Sequence, residues 1–350
     1  MLLVGLVSLL AVSGGALGAG ALLDAETDSV AAISANPSSR QRDPLTPFTL
    51  AARAGARGTF MAFSWSELEP SAGRFRLAPI GVLRTLGVER DLKLLLGIEP
   101  VNTASRETPP DLEDAGWDSP LLRARFRALI DALLPSLNRN VAYLSIGNEV
   151  DVYLARHPGE WAAYTRFYED AVAYVHKVAP WLEVGVTSTW SGAVRSQKRR
   201  VARLNRSSDV EILTYYPLER DLRVRRAQAP LVDFPRMLQA AAGRPLVLQE
   251  VGYPASPLLA SSPRRQALFV KTVFAAWHRA GARVPFLNFL LMHDLDRDAC
   301  GRIARLQGRP DNERLLAYLC TLGLRRANGE AKLAWSEFAR GASALSKTLR

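Results

Sequence analysis

Short apolar runs alternate with longer amphipathic stretches along nearly the whole chain, and this alternation constrains the fold more than any other feature. Eight runs rich in aliphatic and β-branched residues read as strands: Val30 to Ser34, Gly58 to Phe63, Leu92 to Ile98, Val141 to Ile146, Glu183 to Thr187, Val210 to Tyr215, Pro245 to Gln249 and Val284 to Leu291. Between them, stretches such as Pro120 to Leu134, Trp161 to Val178 and Pro263 to Ala280 repeat apolar residues at three- and four-residue spacing, the period of an amphipathic helix. Parallel neighbouring strands need a crossover, and the usual crossover is a helix, so the pattern points to a parallel sheet with helices outside it. Eight such units, with no second class of composition, predict an α/β protein with a single closed (β/α)₈ TIM barrel spanning residues 24–350. Asn36-Pro37-Ser38-Ser39 after the first strand is a turn rather than a Gly-rich phosphate loop, so no dinucleotide cofactor is expected.

Residues 1–23 stand apart from this pattern. From Met1 to Leu23 the chain is apolar with no charge before Asp24, and Ala19-Gly20-Ala21 offers a small-x-small cleavage site. The run reads as an export signal; its length also fits an uncleaved anchor, the one contact with a membrane that the sequence suggests. Export places Cys300 and Cys320, the two cysteines, in an oxidising setting, where a disulfide between them is expected; two buried thiols are the alternative. The formal net charge of +11 is concentrated in Arg195, Lys198, Arg199, Arg200, Arg203 and Arg206, with Arg220, Arg223, Arg225 and Arg226 following. Such a block usually forms a solvated face. An anionic polysaccharide or membrane surface is the sharper reading of it, whereas nucleic acid is disfavoured by export and by the lack of a recognition motif. No metal site is expected from so few ligand residues.

In a β/α barrel the chemistry sits where strands end, which singles out three segments. The fourth expected strand runs into Gly147-Asn148-Glu149, the seventh into Gln249-Glu250-Val251-Gly252, and the sixth into Tyr215-Tyr216-Pro217. Strands four and seven of one barrel would bring Glu149 and Glu250 to the same mouth. Opposed carboxylates are what glycosidic cleavage requires: one protonates the departing oxygen while the other, at about 5 Å, attacks the anomeric carbon with net retention.

These strand ends, together with Trp65-Ser66-Glu67-Leu68-Glu69-Pro70 and Gly73 after strand two, resemble the glycoside hydrolases of clan A, among them families 5, 39 and 53. The closing segment from Gly323-Leu324 through Gly329-Glu330-Ala331-Lys332 to Trp335 also resembles that clan. The resemblance runs from about Val30 to Phe338. It implies Glu149 as acid/base, Glu250 as nucleophile, Asn148 as the amide on the sugar 2-hydroxyl, and Tyr215 as the phenol hydrogen-bonded to the nucleophile. An ionised Glu250 would in turn raise the proton affinity of Glu149. The chain departs from the clan in two places: strand two, Thr59-Phe60-Met61-Ala62-Phe63, carries no arginine, and strand eight ends Leu290-Leu291-Met292-His293-Asp294 with no tryptophan.

Trp65 and Trp190, in segments after strands, are candidate stacking surfaces for sugar rings, with ordinary packing as the alternative. His293 is a candidate contact for a sugar hydroxyl, with a cap on the strand end as the alternative. The sequence thus predicts an exported, cofactor-free, retaining glycoside hydrolase for a β-linked poly- or oligosaccharide. A transglycosylase would share every catalytic residue, and a catalytically silent carbohydrate-binding barrel of the cell envelope is the rival from another class.

Overall fold

The computed structural model describes residues 29–347, so the N-terminal export or anchor segment lies outside the described residues. Among the described residues ten strands run in chain order: β1 (Val30–Ile33), β2 (Gly58–Ser64), β3 (Lys93–Asn102), β4 (Ser105–Arg106), β5 (Val141–Asn148), β6 (Glu183–Gly185), β7 (Thr187–Thr189), β8 (Glu211–Tyr215), β9 (Leu246–Val251) and β10 (Phe286–Phe289). The sheet order is β6-β5-β3-β2-β1-β10-β9-β8-β7, parallel throughout, with β4 folded back antiparallel on β3. β6 pairs with β5 and β7 pairs with β8, and only Val186 separates the two pieces, so together they form the fifth barrel strand and close the ring. The architecture is the expected (β/α)₈ barrel.

The helices form for reasons legible in the chain. Helix Pro120–Leu133 starts with Ser119 accepting from the Leu122 amide and Pro120 at the first position, and it buries Leu122, Phe126, Leu129, Ile130 and Leu133 against the strands. Helix Pro263–Ala280 repeats the device with Ser262 accepting from the Arg265 amide, and it ends at Gly281 with φ 59°.

Inside the barrel, Ala32, Phe60, Ala62, Leu95, Val210, Ile212, Val247 and Phe286 form an apolar plug separate from the main core. Side chains alternate along a strand, so the next inward position lies two residues on. There the lining turns polar: Ser34, Ser145, Thr187, Thr214, Gln249 and Asn288. Ser145 and Thr187 share a hydroxyl contact of 2.6 Å, Thr187 donates to Gln249 at 2.6 Å, and Asn288 donates to Ser34 at 2.9 Å. This hydrogen-bonded layer is the floor of a cup whose walls are the strand ends.

After β10 the chain makes an excursion through helices Arg297–Leu306 and Glu313–Leu319 before the closing helix Leu333–Lys347. The expected Cys300–Cys320 disulfide is present, with the Cα atoms 5.8 Å apart, and it ties the two excursion helices together. Among the described residues no helix is long and apolar enough to cross a membrane.

Candidate active site

Two breaks in strand alternation bring the carboxylates into the cup. At the end of β5, Gly147 takes φ 91°, and a Cβ there would lie 2.5 Å from the Tyr164 hydroxyl and 2.6 Å from a Val150 methyl. Only glycine fits. Glu149 follows at φ 45°, a left-handed conformation that is unfavourable for a non-glycine residue and holds only where surrounding contacts impose it. Those contacts are two hydroxyls: Thr214 donates to one Glu149 oxygen at 2.7 Å and Thr103 to the other at 3.0 Å. The helix that begins just after it, Val150–Arg156, is anchored by Asp151, which accepts from the Thr189 amide and hydroxyl, both at 2.7 Å. Burial lifts the Asp151 carboxyl to about 6 against the effect of those bonds.

On β9 the register slips. Leu248 is opposite Leu213 but Glu250 is opposite Thr214, so Gln249 is an extra residue, a β-bulge. The bulge lets two consecutive side chains serve the cup. Gln249 accepts from Thr187 and donates to the Asn148 amide oxygen at 2.9 Å, while Glu250 accepts from the Tyr216 hydroxyl at 2.6 Å. Thr214 therefore joins the two acids: its hydroxyl touches Glu149 and its Cα is the register partner of Glu250.

Burial and then the charge of Glu149 push the Glu250 carboxyl up to about 7, while the hydrogen bond from Tyr216 acts in the opposite direction. Burial and the charge of Glu250 in turn keep the Tyr216 phenol protonated well above its ordinary value. Glu250, expected to be held ionised, is thus an acid whose proton affinity is raised. A third acid, Glu99, sits on the inward side of β3 at 6% exposure, accepting from the Asn102 amide at 2.6 Å. Burial, with the charges of Glu250, Glu107 and Glu67, raises it to about 8.

Of the residues singled out in the sequence, Asn148, Glu149 and Glu250 share the cup. The other four do not reach it. Tyr215 points outward from β8, fully buried, and donates to Asp233 at 2.9 Å; the phenol on Glu250 belongs to Tyr216, the next residue. Trp65 opens a short helix behind β2, where its ring meets Phe126 edge-on at 5.1 Å and its N–H donates to Glu69, leaving no face for a sugar. Trp190 is 5% exposed, packs edge-on to Tyr215, and has the guanidinium groups of Arg195 and Arg225 over its ring at 4.8 and 5.2 Å. His293 is fully buried, with Nδ1 2.7 Å from the Asn36 carbonyl and Nε2 accepting from Arg325. These contacts fix the neutral tautomer protonated on Nδ1, and burial lowers its pKa further. It caps the strand end.

The residues that sequence reasoning passed over are Glu99, Asn102, Thr103, Thr214, Tyr216 and Tyr318. Tyr318, on the disulfide-tied excursion, packs edge-on against Tyr216 with ring centroids 5.7 Å apart. Strict alternation identifies three of the six: Glu99 continues the inward series Leu95, Gly97, and Thr214 and Tyr216 continue Val210, Ile212.

Solved structures share this barrel. The chain is similar to an exo-β-1,4-mannosidase from Opitutaceae bacterium strain TAV5, at 16% identity and a TM-score of 0.70 over 91% of this chain and 60% of that one. The chain shares the barrel of family 5 glycoside hydrolases. A GH5_18 protein from Streptomyces cattleya in complex with Manβ1-4GlcNAc gives 16% identity and a TM-score of 0.69 over 90% and 80% of the two chains. The β-glycosidase BGL167 gives 15% and 0.59 over 85% and 84%. The chain spans 60% of the length of the mannosidase. No protein-family model and no curated protein matches it.

Proposed function

We propose that the chain is an exported β-glycoside hydrolase that works by double displacement, with Glu250 as nucleophile and Glu149 as acid/base. The observation that carries this reading is the link through Thr214, which sets two carboxylates from the fourth and seventh barrel strands around one polar cup. In a glycosidase of the retaining kind, the nucleophile attacks the anomeric carbon while the acid protonates the departing oxygen; water then reverses the sequence with the acid acting as base. Each neighbour has a physical part in that cycle. Tyr216 donates to Glu250 and favours its ionised, attacking form. Asn148 has its amide oxygen taken by Gln249 and one N–H donated to the Asn102 amide oxygen at 3.3 Å, so its second N–H is left to serve a sugar hydroxyl. The cycle needs Glu250 ionised and the acid protonated when the sugar arrives.

The solved neighbours whose names specify mannosides and β-glycosides support a β-linked sugar as substrate. The test is the purified protein on aryl β-mannosides, β-glucosides and β-galactosides, with the anomeric configuration of the first product followed by proton NMR. Release of a β-configured sugar is expected. An α-configured first product, or no turnover of any β-glycoside or dyed polysaccharide, overturns the reading.

A further inference from the structure

Two cations of this region are neutralised by buried carboxylates. Arg225 is held by Asp233 at 2.7 Å and Arg244 by Glu211 at 2.8 Å. A cleft of about 250 Å³ next to them is different: it is lined by Arg195, Lys198 and Arg236, together with Val194, Gln239 and Ala240. Among the described residues none of its three cations is paired with a carboxylate, and the chain from Trp190 to Ser208 contains no acid to supply one. Six like charges crowd that stretch, and the self-repulsion is left standing where neighbouring cations are compensated. A local conflict without compensation in the folded chain marks a site that something else completes.

The cleft is also connected to the cup. Arg195 stacks on Trp190, the Trp190 N–H donates to the Tyr216 carbonyl at 3.2 Å, and the Tyr216 hydroxyl donates to Glu250. It lies between the segment that follows β7 and the C-terminal half of helix Pro230–Ala241, on the outer flank of the barrel. Its chemistry is mixed: two guanidinium groups suited to bidentate recognition of an oxyanion, an ammonium, a neutral amide in Gln239 for hydroxyls, and small apolar surface.

We propose that this cleft is a secondary binding site for an anionic glycan, holding a carboxylate- or sulfate-bearing chain on the flank of the barrel. Binding here does not use Glu149 or Glu250, so its test and the test of the catalytic reading succeed or fail separately.

The probes are polygalacturonate, dextran sulfate and neutral dextran, with affinity measured by isothermal titration at low and high salt. Two triple variants of equal charge are compared. One removes the cleft cations (Arg195→Ser, Lys198→Ser, Arg236→Ser); the other removes exposed cations on other helices (Arg264→Ser, Lys271→Ser, Arg302→Ser). Three exposed cation contacts predict a loss of roughly tenfold for the cleft variant at low salt and little for the control, with binding lost at about 0.5 M salt. The two anionic probes tell a uronate-type from a sulfate-type ligand, and binding of either one supports the proposal. Equal losses in the two variants would show binding driven by net charge alone and overturn it. So would equal affinity for neutral dextran, or binding of the wild type to anionic phospholipid vesicles but to neither charged glycan.

Discussion

Replacing Tyr216 by Phe removes one hydrogen bond from Glu250 and the phenol's contact with the Tyr318 hydroxyl, while the ring keeps its edge-on packing against Tyr318. A hydrogen bond to a charged group contributes about 1.5–3 kcal/mol, and one pKa unit corresponds to about 1.4 kcal/mol, so the carboxyl should rise by roughly 1–2 units. Glu250 starts at about 7. The sign follows from the proposed role as nucleophile: attack requires the ionised form, so the acidic limb of the kcat/KM profile should report this group and move upward, to roughly 8–9. At pH 7 about half of Glu250 is ionised in the wild type and roughly 1–10% in the variant, a fall of about 5- to 50-fold in kcat/KM that largely recovers above pH 9. The matched control is Tyr215→Phe. It removes a donor from Asp233, which keeps Arg225, and should cost about 1–2 kcal/mol of stability with the profile in place. The assay is kcat/KM on an activated aryl glycoside across pH 5–10. A limb that stays put in Tyr216→Phe, or moves as far in Tyr215→Phe, refutes the assignment.

Two further outcomes are expected. Glu99 and Glu250 are raised to about 8 and about 7, above their unfolded values, so the stability they contribute is complete in mild acid and is lost as pH rises through those values. Thermal unfolding should therefore show Glu99→Gln more stable than wild type by about 1 kcal/mol or more at pH 8.5, with the gain absent at pH 5; an equal gain at both would contradict it. Cys300 and Cys320 close a loop of 20 residues, worth about 3 kcal/mol, and the same excursion delivers Tyr318 to Tyr216. Cys300→Ser with Cys320→Ser should lower stability by about that amount and reduce activity, and full activity with unchanged denaturant midpoints would count against it.

The barrel was legible because its signal repeats eight times, and an error in one strand is outvoted by the other seven. The strand ends were legible only in part. Glu149 and Glu250 stood out as acids after apolar runs, although strict alternation would have turned Glu250 outward; the bulge at Gln249 that turns it in depends on strand pairing and leaves no mark in the sequence. Tyr215 was preferred to Tyr216 because it ended the apolar run, whereas parity with Val210 and Ile212 pointed to Tyr216 all along. Trp65, Trp190 and His293 follow strands as sugar-binding residues do, but burial is a property of the neighbours: Phe126, Arg225 and Asn36 cover them from distant parts of the chain. Glu99 was hidden for the opposite reason, as an acid ahead of a proline in a strand that runs four residues beyond the expected end.

The most direct test of the central claim separates the two glutamates by azide rescue. With an activated aryl β-glycoside, Glu149→Ala should form the glycosyl-enzyme and stall, and azide should release a glycosyl azide of retained configuration, because only unactivated leaving groups need the acid. Glu250→Ala should be inactive until azide attacks from the open face and gives the inverted product. Proton NMR of the two azides reads both outcomes in one experiment. Retained product from Glu149→Ala and inverted product from Glu250→Ala are predicted; wild-type turnover of unactivated substrate by both variants would contradict the account.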